Sequence, residues 1–214
     1  MVLQDKYAPD SIYSFVRLII TLFIAIIGNA GMWAIVVIMP DIGNEFLVSR
    51  ATLSFPYILT MVGFALGNVF LGRFVDRVGI TQAIIFASFL NFLGFAGASL
   101  FDSFFIFTFF HLIVGLGTAV SFGPLLADIS LWFKRFRGIA VAIAASGNYI
   151  SGAIFPFLLG GVIADYGWRG SYYALSIASI GLLLPAGFFL KRRLSSKFQK
   201  EQEEQAKTQA VISS

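Results

Sequence analysis

Long apolar runs separated by short polar stretches make up most of this 214-residue chain. Six of these runs approach the length of about 20 residues that a helix needs to cross a lipid bilayer. They cover roughly residues 16–38, 52–71, 80–100, 104–126, 138–164 and 172–190. The pattern predicts an all-α integral membrane domain of six transmembrane helices over residues 1–195 and a polar cytoplasmic tail or linker over 196–214.

The composition indicates that lipid surrounds most of the chain, since 58% of its residues are hydrophobic and 12% are charged. The mean hydropathy of +0.86 lies outside the usual range of soluble domains. With no cysteine, one histidine and acids placed at helix ends, the sequence offers no disulfide, metal-ligand cluster, catalytic triad or paired-carboxylate site. We predict that the protein is not an enzyme and uses no metal or cofactor.

The basic residues predict the orientation, because lysine and arginine in short loops are retained on the cytoplasmic side. One side of the predicted layout carries only Arg50 and Arg169. The other side carries Lys6, Arg17, Arg73, Arg77, Lys134, Arg135, Arg137, Lys191, Arg192, Arg193, Lys197, Lys200 and Lys207. Both termini are therefore expected in the cytoplasm, with the protein in the plasma or inner membrane. The net charge of +4 reflects this bias and an attraction to anionic lipid, and does not indicate nucleic-acid binding.

A charged stretch, Gly72-Arg73-Phe74-Val75-Asp76-Arg77-Val78-Gly79, follows the second apolar run and is predicted to be an inner loop. The carboxylate of Asp76 can accept hydrogen bonds from the N-terminus of a neighbouring helix or pair with a cation such as Arg77. We interpret Gly72, Asp76, Arg77 and Gly79 as a conformational latch. The alternative is that Asp76 and Arg77 are ordinary inner charges at a tight turn.

The ends of two predicted helices share a pattern. Gly72-x-x-x-Asp76 ends the second helix on the inner side, and Gly161-x-x-x-Asp165 ends the fifth on the outer side. Repeated helix triplets of opposite orientation leave weak symmetry of this kind in membrane proteins. We therefore predict that the six helices form two inverted three-helix repeats.

The four latch residues resemble the inner-loop motif of the major facilitator superfamily, G-x-x-x-D-R-x-G-R-[RK]. Ile80 and Thr81 stand where that motif has its last two basic residues. The resemblance extends over about residues 12–195. It implies the N-terminal six-helix half of a major facilitator fold, in which the latch joins the two halves of the molecule.

Two further stretches carry the same resemblance. The R-x-x-x-G-x-G pattern of the family's fourth helix appears here as His111, Gly115 and Gly117, with histidine in place of arginine. Residues 132–138 and 167–170 are similar to the monocarboxylate and oxalate/formate branch. The resemblance implies a secondary active transporter of a small solute, such as an organic anion of the monocarboxylate class, which works by alternating access with a second six-helix half or a second copy. A non-transporting assembly or regulatory subunit is the alternative.

Polar residues inside the apolar runs are the candidates for a substrate cavity or for ion coupling, because a polar group in lipid must find a partner or line water. We select Asn29, His111 and Asn148. His111 is the only histidine, and an imidazole titrates near physiological pH, so it is a candidate carrier of a coupled proton. The alternative for all three is hydrogen bonding between helices without contact to the solute. Since no lysine or arginine lies in the middle of a predicted helix, the second half would have to supply the cation for a carboxylate.

Two sets of residues predict how the helices pack and where they meet the membrane surface. Gly63-x-x-x-Gly67 gives the second helix a smooth face for close packing. Aromatic residues near the predicted membrane boundaries, namely Trp132, Tyr166, Trp168, Tyr172 and Tyr173, are expected to be interfacial anchors.

Overall fold

The structure, a computed structural model, describes residues 7–192 and residue 198, and helices form most of that part. In chain order they are α1 (Ile12–Gly28), α2 (Ala30–Phe46), α3 (Ser54–Val78), α4 (Ile80–Leu100), α5 (Phe104–Ala119), α6 (Gly123–Leu131), α7 (Arg137–Ala178) and α8 (Leu184–Phe189). A π-helical turn at Ser179–Leu183 joins α7 to α8. The predicted tail over 196–214, apart from Phe198, lies outside the described residues, as do Lys6 and Arg193.

Five helical stretches of the described chain are long and apolar enough to cross a membrane. They are Ile12–Phe46, Ser54–Val78, Ile80–Leu100, Phe104–Leu131 and Arg137–Phe189. The last has 53 residues, and at about 1.5 Å per residue it far exceeds a hydrocarbon core of about 30 Å. Gly167 interrupts it with φ 69° and ψ 176°, a conformation that glycine adopts without steric cost. Because helix continues on both sides of this break, there are five stretches where the sequence pattern predicts six.

Two helix breaks face each other inside the bundle. Asn29 separates α1 from α2, and residues 120–122 separate α5 from α6. The Asn29 side-chain Nδ2 donates to the carbonyl oxygens of Ala25 at 2.7 Å and Ser121 at 3.2 Å. The Ala25 carbonyl also accepts from the backbone N–H of Asn29, so the side-chain amide adds a second donor there and links α1 to the carbonyl at the other break. The breaks are therefore joined to each other.

The predicted loop at 72–79 is wrong, because α3 continues through Val78 and only Gly79 separates it from α4. The N–H of Gly79 donates to the carbonyl of Val75. The residue has φ 92°, a positive value that glycine adopts without steric cost. The charged residues of 72–78 mark where the apolar run ends, but they do not interrupt the backbone hydrogen bonds of the helix. Asp76 and Arg77 therefore stand on the last turns of a helix. We call this end of the bundle the Gly79 end.

Helices α3 and α5 pack with their backbones in contact. A Cβ atom on Gly63 would lie 2.2 Å from the carbonyl oxygen of Leu112, and one on Gly115 would lie 2.1 Å from that of Thr60. On Gly67, a Cβ atom would lie 2.9 Å from the carbonyl oxygen of Leu116. The predicted smooth face of the second helix is therefore confirmed as the surface that receives α5.

The aromatic residues near the predicted boundaries divide into two groups. Tyr166 and Tyr173 are exposed, as interfacial anchors would be. Trp132, Trp168 and Tyr172 are buried, so the prediction that they are anchors is wrong. The rings of Trp168 and Tyr172 pack against Phe107 in the core, where a large ring gains more contact than at a surface.

Candidate functional site

His111 lies in the core with both ring nitrogens hydrogen-bonded. Nδ1 is 2.9 Å from the carbonyl oxygen of Phe107, one turn earlier on α5. Nε2 is 2.9 Å from the hydroxyl of Tyr172 on α7. A carbonyl can only accept, so Nδ1 carries a proton, and in the neutral ring Nε2 then accepts from the Tyr172 hydroxyl. This pair links α5 to the part of α7 that follows Gly167.

Asn29 and Asn148 occupy different contacts. Asn29 is buried at the break between α1 and α2, and its Oδ1 has no hydrogen-bond partner among the described residues. Asn148 is half-buried on α7, where its carbonyl oxygen and Oδ1 accept from Nε1 of Trp33 at 3.0 and 3.3 Å. No hydrogen bond joins either asparagine to His111 within the described part of the chain. The structure therefore places the three candidates in separate contacts.

The latch residues have open surroundings. Asp76 and Arg77 are exposed, and neither side chain forms an ion pair or hydrogen bond with the residues that the structure describes. A Cβ atom added to Gly72 would meet no atom of the described residues within 4 Å. The carboxylate and the guanidinium are thus both available to a partner beyond the described chain.

A buried ion pair at the Gly79 end is the feature that sequence reasoning missed. Nη2 of Arg17 on α1 lies 2.7 Å from Oδ2 of Asp128 on α6, and the two side chains are 2% and 15% exposed. Nη1 of Arg17 also donates to the carbonyl oxygens of Leu190 at 2.9 Å and Arg192 at 3.2 Å. The guanidinium carbon lies 4.5 Å from the ring centre of Trp132.

This ion pair fastens three parts of the bundle together. One guanidinium neutralises a carboxylate on α6 and satisfies carbonyls that follow the last turn of α8. The signal was present in the sequence, because Arg17 stands inside an apolar run and a charge there requires an opposite partner. Arg17 also fits the pattern of inner positive charges, which by itself requires no partner.

A second ionic cluster lies at the opposite end. Arg169 pairs with Glu45 at the end of α2 and with Asp102 in the turn between α4 and α5. Nε1 of Trp168 donates to Oε2 of Glu45 at 2.6 Å. The side chain of Arg169 is 30% exposed, so water screens these pairs more than it screens the pair at the Gly79 end.

The sequence is similar to that of known membrane transporters. Residues 21–213 match the sequence model of the Major Facilitator Superfamily. The riboflavin transporter RibJ of Trypanosoma brucei brucei is 31% identical over 160 residues, which are 68% of this chain and 29% of that protein. Human Monocarboxylate transporter 14 is 23% identical over 174 residues, which are 81% of this chain and 34% of that protein.

The fold is similar to a solved structure. The proton:xylose symporter XylE, solved with 6-bromo-6-deoxy-D-glucose, superposes with a TM-score of 0.74 over 94% of this chain and 49% of that chain, at 15% identity. At that identity the likeness concerns the fold alone. The chain spans about half of that structure and about a third of the two relatives named above.

Proposed function

The chain belongs to the Major Facilitator Superfamily, and on that premise we propose that it is the N-terminal half of a secondary active transporter that works by alternating access. The family match over residues 21–213 is the observation that carries this proposal. Members of this family are membrane transporters rather than enzymes, and the apolar helices make this chain an integral membrane protein. Its coverage of 49% of the XylE chain supports assignment as one half.

We propose six crossings arranged as two inverted triplets, with both termini in the cytoplasm. The break at Gly167 supports two crossings within Arg137–Phe189, because a single crossing cannot use 53 residues. The hydrogen bond from Arg17 to the Arg192 carbonyl supports termini on one side. In the cysteine-free chain, single cysteines at positions 50 and 134 are expected to react with an impermeant maleimide from opposite sides, and labelling from one side would contradict this layout.

The proposed solute is a small organic anion such as a monocarboxylate. Two relatives are named as transporters of riboflavin and of monocarboxylates, and the segments at 132–138 and 167–170 favour the second. Within the described helices Arg17 and Arg169 are already paired with acids near the two ends of the bundle, and no other lysine or arginine lies midway along a crossing to bind a carboxylate. The cation is therefore assigned to a second six-helix half or a second copy, which would complete the cavity.

For coupling we propose His111, with Asn29 and Asn148 as supporting cavity or helix-contact residues. Protonation would turn Nε2 from an acceptor into a donor toward the Tyr172 hydroxyl, so that hydroxyl would have to direct its own proton elsewhere. Proton binding would thereby alter the contact between α5 and α7. Asn148 is half-buried, so it is the candidate that a cavity could reach. Asn29 would hold the break between α1 and α2 against the break between α5 and α6.

For the latch we propose that Asp76 and Arg77 bind the second half when the Gly79 end is closed. Their exposure and their lack of partners within the described residues support this role. Because Gly79 is the whole turn between α3 and α4, the backbone of Asp76 belongs to a helix rather than to a loop. Breaking its contact would free this end to open.

Transport is tested by purifying the protein, alone and co-expressed with any second half encoded downstream, and reconstituting it into vesicles with an imposed pH gradient. We expect an assembly of two six-helix units that takes up labelled lactate faster than protein-free vesicles. Asp76→Asn should slow uptake by about tenfold, because a charge-assisted hydrogen bond is lost. Asp165→Asn, a change of the same kind at the opposite end, should leave uptake at the wild-type rate.

The rival function gives a different result. A single six-helix unit that purifies with another membrane protein and takes up neither lactate nor riboflavin would support an assembly or regulatory subunit. Unchanged uptake in Asp76→Asn would refute the latch.

Coupling by His111 predicts a changed pH profile. Uptake by the wild type should rise as the external pH falls, since a proton accompanies the solute. His111→Gln should remove most of this pH dependence, because the amide does not exchange a proton in that pH range. The variant should still take up the solute at alkaline pH. Tyr172→Phe is the matched variant, which keeps the imidazole and removes its partner. A pH profile of His111→Gln identical to that of the wild type would exclude His111 as the proton carrier.

A further inference from the structure

A cavity of about 430 Å³ opens at the Gly79 end of the bundle, and none of the proposed transport residues except Gly79 lines it. The first turn of α4, the end of α6 and the end of α8 surround it. The Arg17–Asp128 pair and Trp132 also border it. The helices that border it begin or end there, and the ends of membrane-spanning helices are expected at the level of the lipid headgroups.

Two cations give this cavity its charge. Lys191 and Arg192 line it, both are exposed, and neither side chain has an ion pair or hydrogen bond with the described residues. Among the described residues Asp128 is the one acid on its wall, and the guanidinium of Arg17 neutralises it. The charge left over is about two positive units, which is complementary to a phosphate group.

Neutral donors add to the same site. The hydroxyl of Thr81 and the amide of Gln82 belong to lining residues in the first turn of α4. No side chain of the described residues caps that turn, so within that part of the chain its first backbone N–H groups have no capping partner. Free N–H groups at the start of a 21-residue helix favour an anion beside the two cations.

The rest of the wall is apolar and distinguishes a lipid from a free ion. Ile85, Leu131 and Phe188 line the cavity, and the side chains of Leu131 and Phe188 are partly exposed. Inorganic phosphate would leave this apolar surface in contact with water, whereas a phospholipid would cover it with glycerol and acyl groups. Basic pockets between membrane helices at this level suit anionic headgroups.

We propose that this cavity binds the headgroup of an anionic phospholipid from the adjacent leaflet, with Lys191 and Arg192 as its phosphate ligands. The bound lipid lies across the ends of α4, α6 and α8. These include two of the helix ends that Arg17 joins, so the lipid stabilises the same junction from outside. This site does not depend on the identity of the transported solute.

The test uses the purified full chain in a neutral detergent, with added phosphatidylglycerol, phosphatidylcholine or sodium phosphate. Phosphatidylglycerol should raise the midpoint of thermal unfolding and appear as a bound lipid in native mass spectra, while the other two additions should not. Lys191→Gln/Arg192→Gln should bind phosphatidylglycerol at least about tenfold more weakly, since each basic residue near an anionic lipid surface contributes to the attraction.

The matched control is Arg135→Gln/Arg137→Gln, which removes two exposed basic residues outside the cavity and should retain wild-type lipid binding. Unfolding midpoints without lipid show whether each double variant is folded. Three results would overturn the proposal: equal binding by the Lys191/Arg192 variant, an equal effect of phosphatidylcholine, or stabilisation by sodium phosphate alone, which would make the site one for free phosphate.

Discussion

Replacing Gly115 by valine should prevent the bundle from folding. A Cβ atom at this position would lie 2.1 Å from the carbonyl oxygen of Thr60 and 2.9 Å from the backbone nitrogen of Phe64. Both obstacles are backbone atoms of α3, so no side-chain rotation can relieve the overlap. The helices would have to separate, which removes the close contacts at Gly63 and Gly67 as well. We expect a loss of roughly 4 kcal/mol or more in the free energy of unfolding.

Size-exclusion profiles and thermal unfolding of the detergent-solubilised protein measure this effect. Gly160→Val is the matched control, because a Cβ atom at Gly160 would meet no atom within 4 Å in the described chain. The control should elute and unfold nearly as the wild type does. If Gly115→Val also unfolds within about 2 °C of the wild type, a shift worth about 0.5–1 kcal/mol, α3 and α5 do not cross as described here.

Removing one partner of the Arg17–Asp128 pair should be the second large effect. Arg17→Leu leaves the Asp128 carboxylate, whose side chain is 15% exposed, without its counter-charge. It also leaves the carbonyl oxygens of Leu190 and Arg192 without their donor. A buried charge that loses its partner costs about 3–5 kcal/mol. The end of α8 should then detach from α1.

A double-mutant cycle separates the charge from the packing. Asp128→Leu alone should cost a similar amount, because it leaves the 2%-exposed guanidinium of Arg17 unpaired. Arg17→Leu/Asp128→Leu should cost less than the sum of the single changes, since neither charge remains. Arg169→Leu at the opposite end is the comparison and should cost only about 1 kcal/mol, because its pairs are exposed. Equal losses of unfolding free energy in Arg17→Leu and Arg169→Leu would contradict a larger contribution from the buried Arg17–Asp128 pair.

Much of the fold follows from local sequence. Apolar runs of membrane-spanning length have few alternatives in lipid, because only a helix satisfies all backbone groups within one segment. The Gly63-x-x-x-Gly67 face was also predictable, because a strip of glycines on an apolar helix lets a neighbouring backbone pack closely. The inner motif with Gly79 identified the family, although the sequence did not show that 72–78 is helical.

Less of the candidate site was predictable. The sequence singled out Asn29, His111 and Asn148 as polar residues in apolar runs, but not their partners. His111 binds Tyr172, which is 61 positions away, and Arg17 binds Asp128, which is 111 positions away. No local pattern encodes such distances. Burial of Trp168, which was expected at an interface, likewise depends on where Phe107 and Glu45 lie.

By itself the sequence determined that this is a helical membrane protein of a transporter family, because hydropathy and short motifs are properties of contiguous residues. Only the tertiary structure decided which polar groups are paired, which glycines carry backbone contacts and where a basic cavity opens. These depend on distances between helices that are remote in the chain. In lipid, two apolar helix surfaces gain little free energy simply by meeting. Close packing and hydrogen bonds therefore determine which helices are neighbours, and these contacts are seen only in the folded structure.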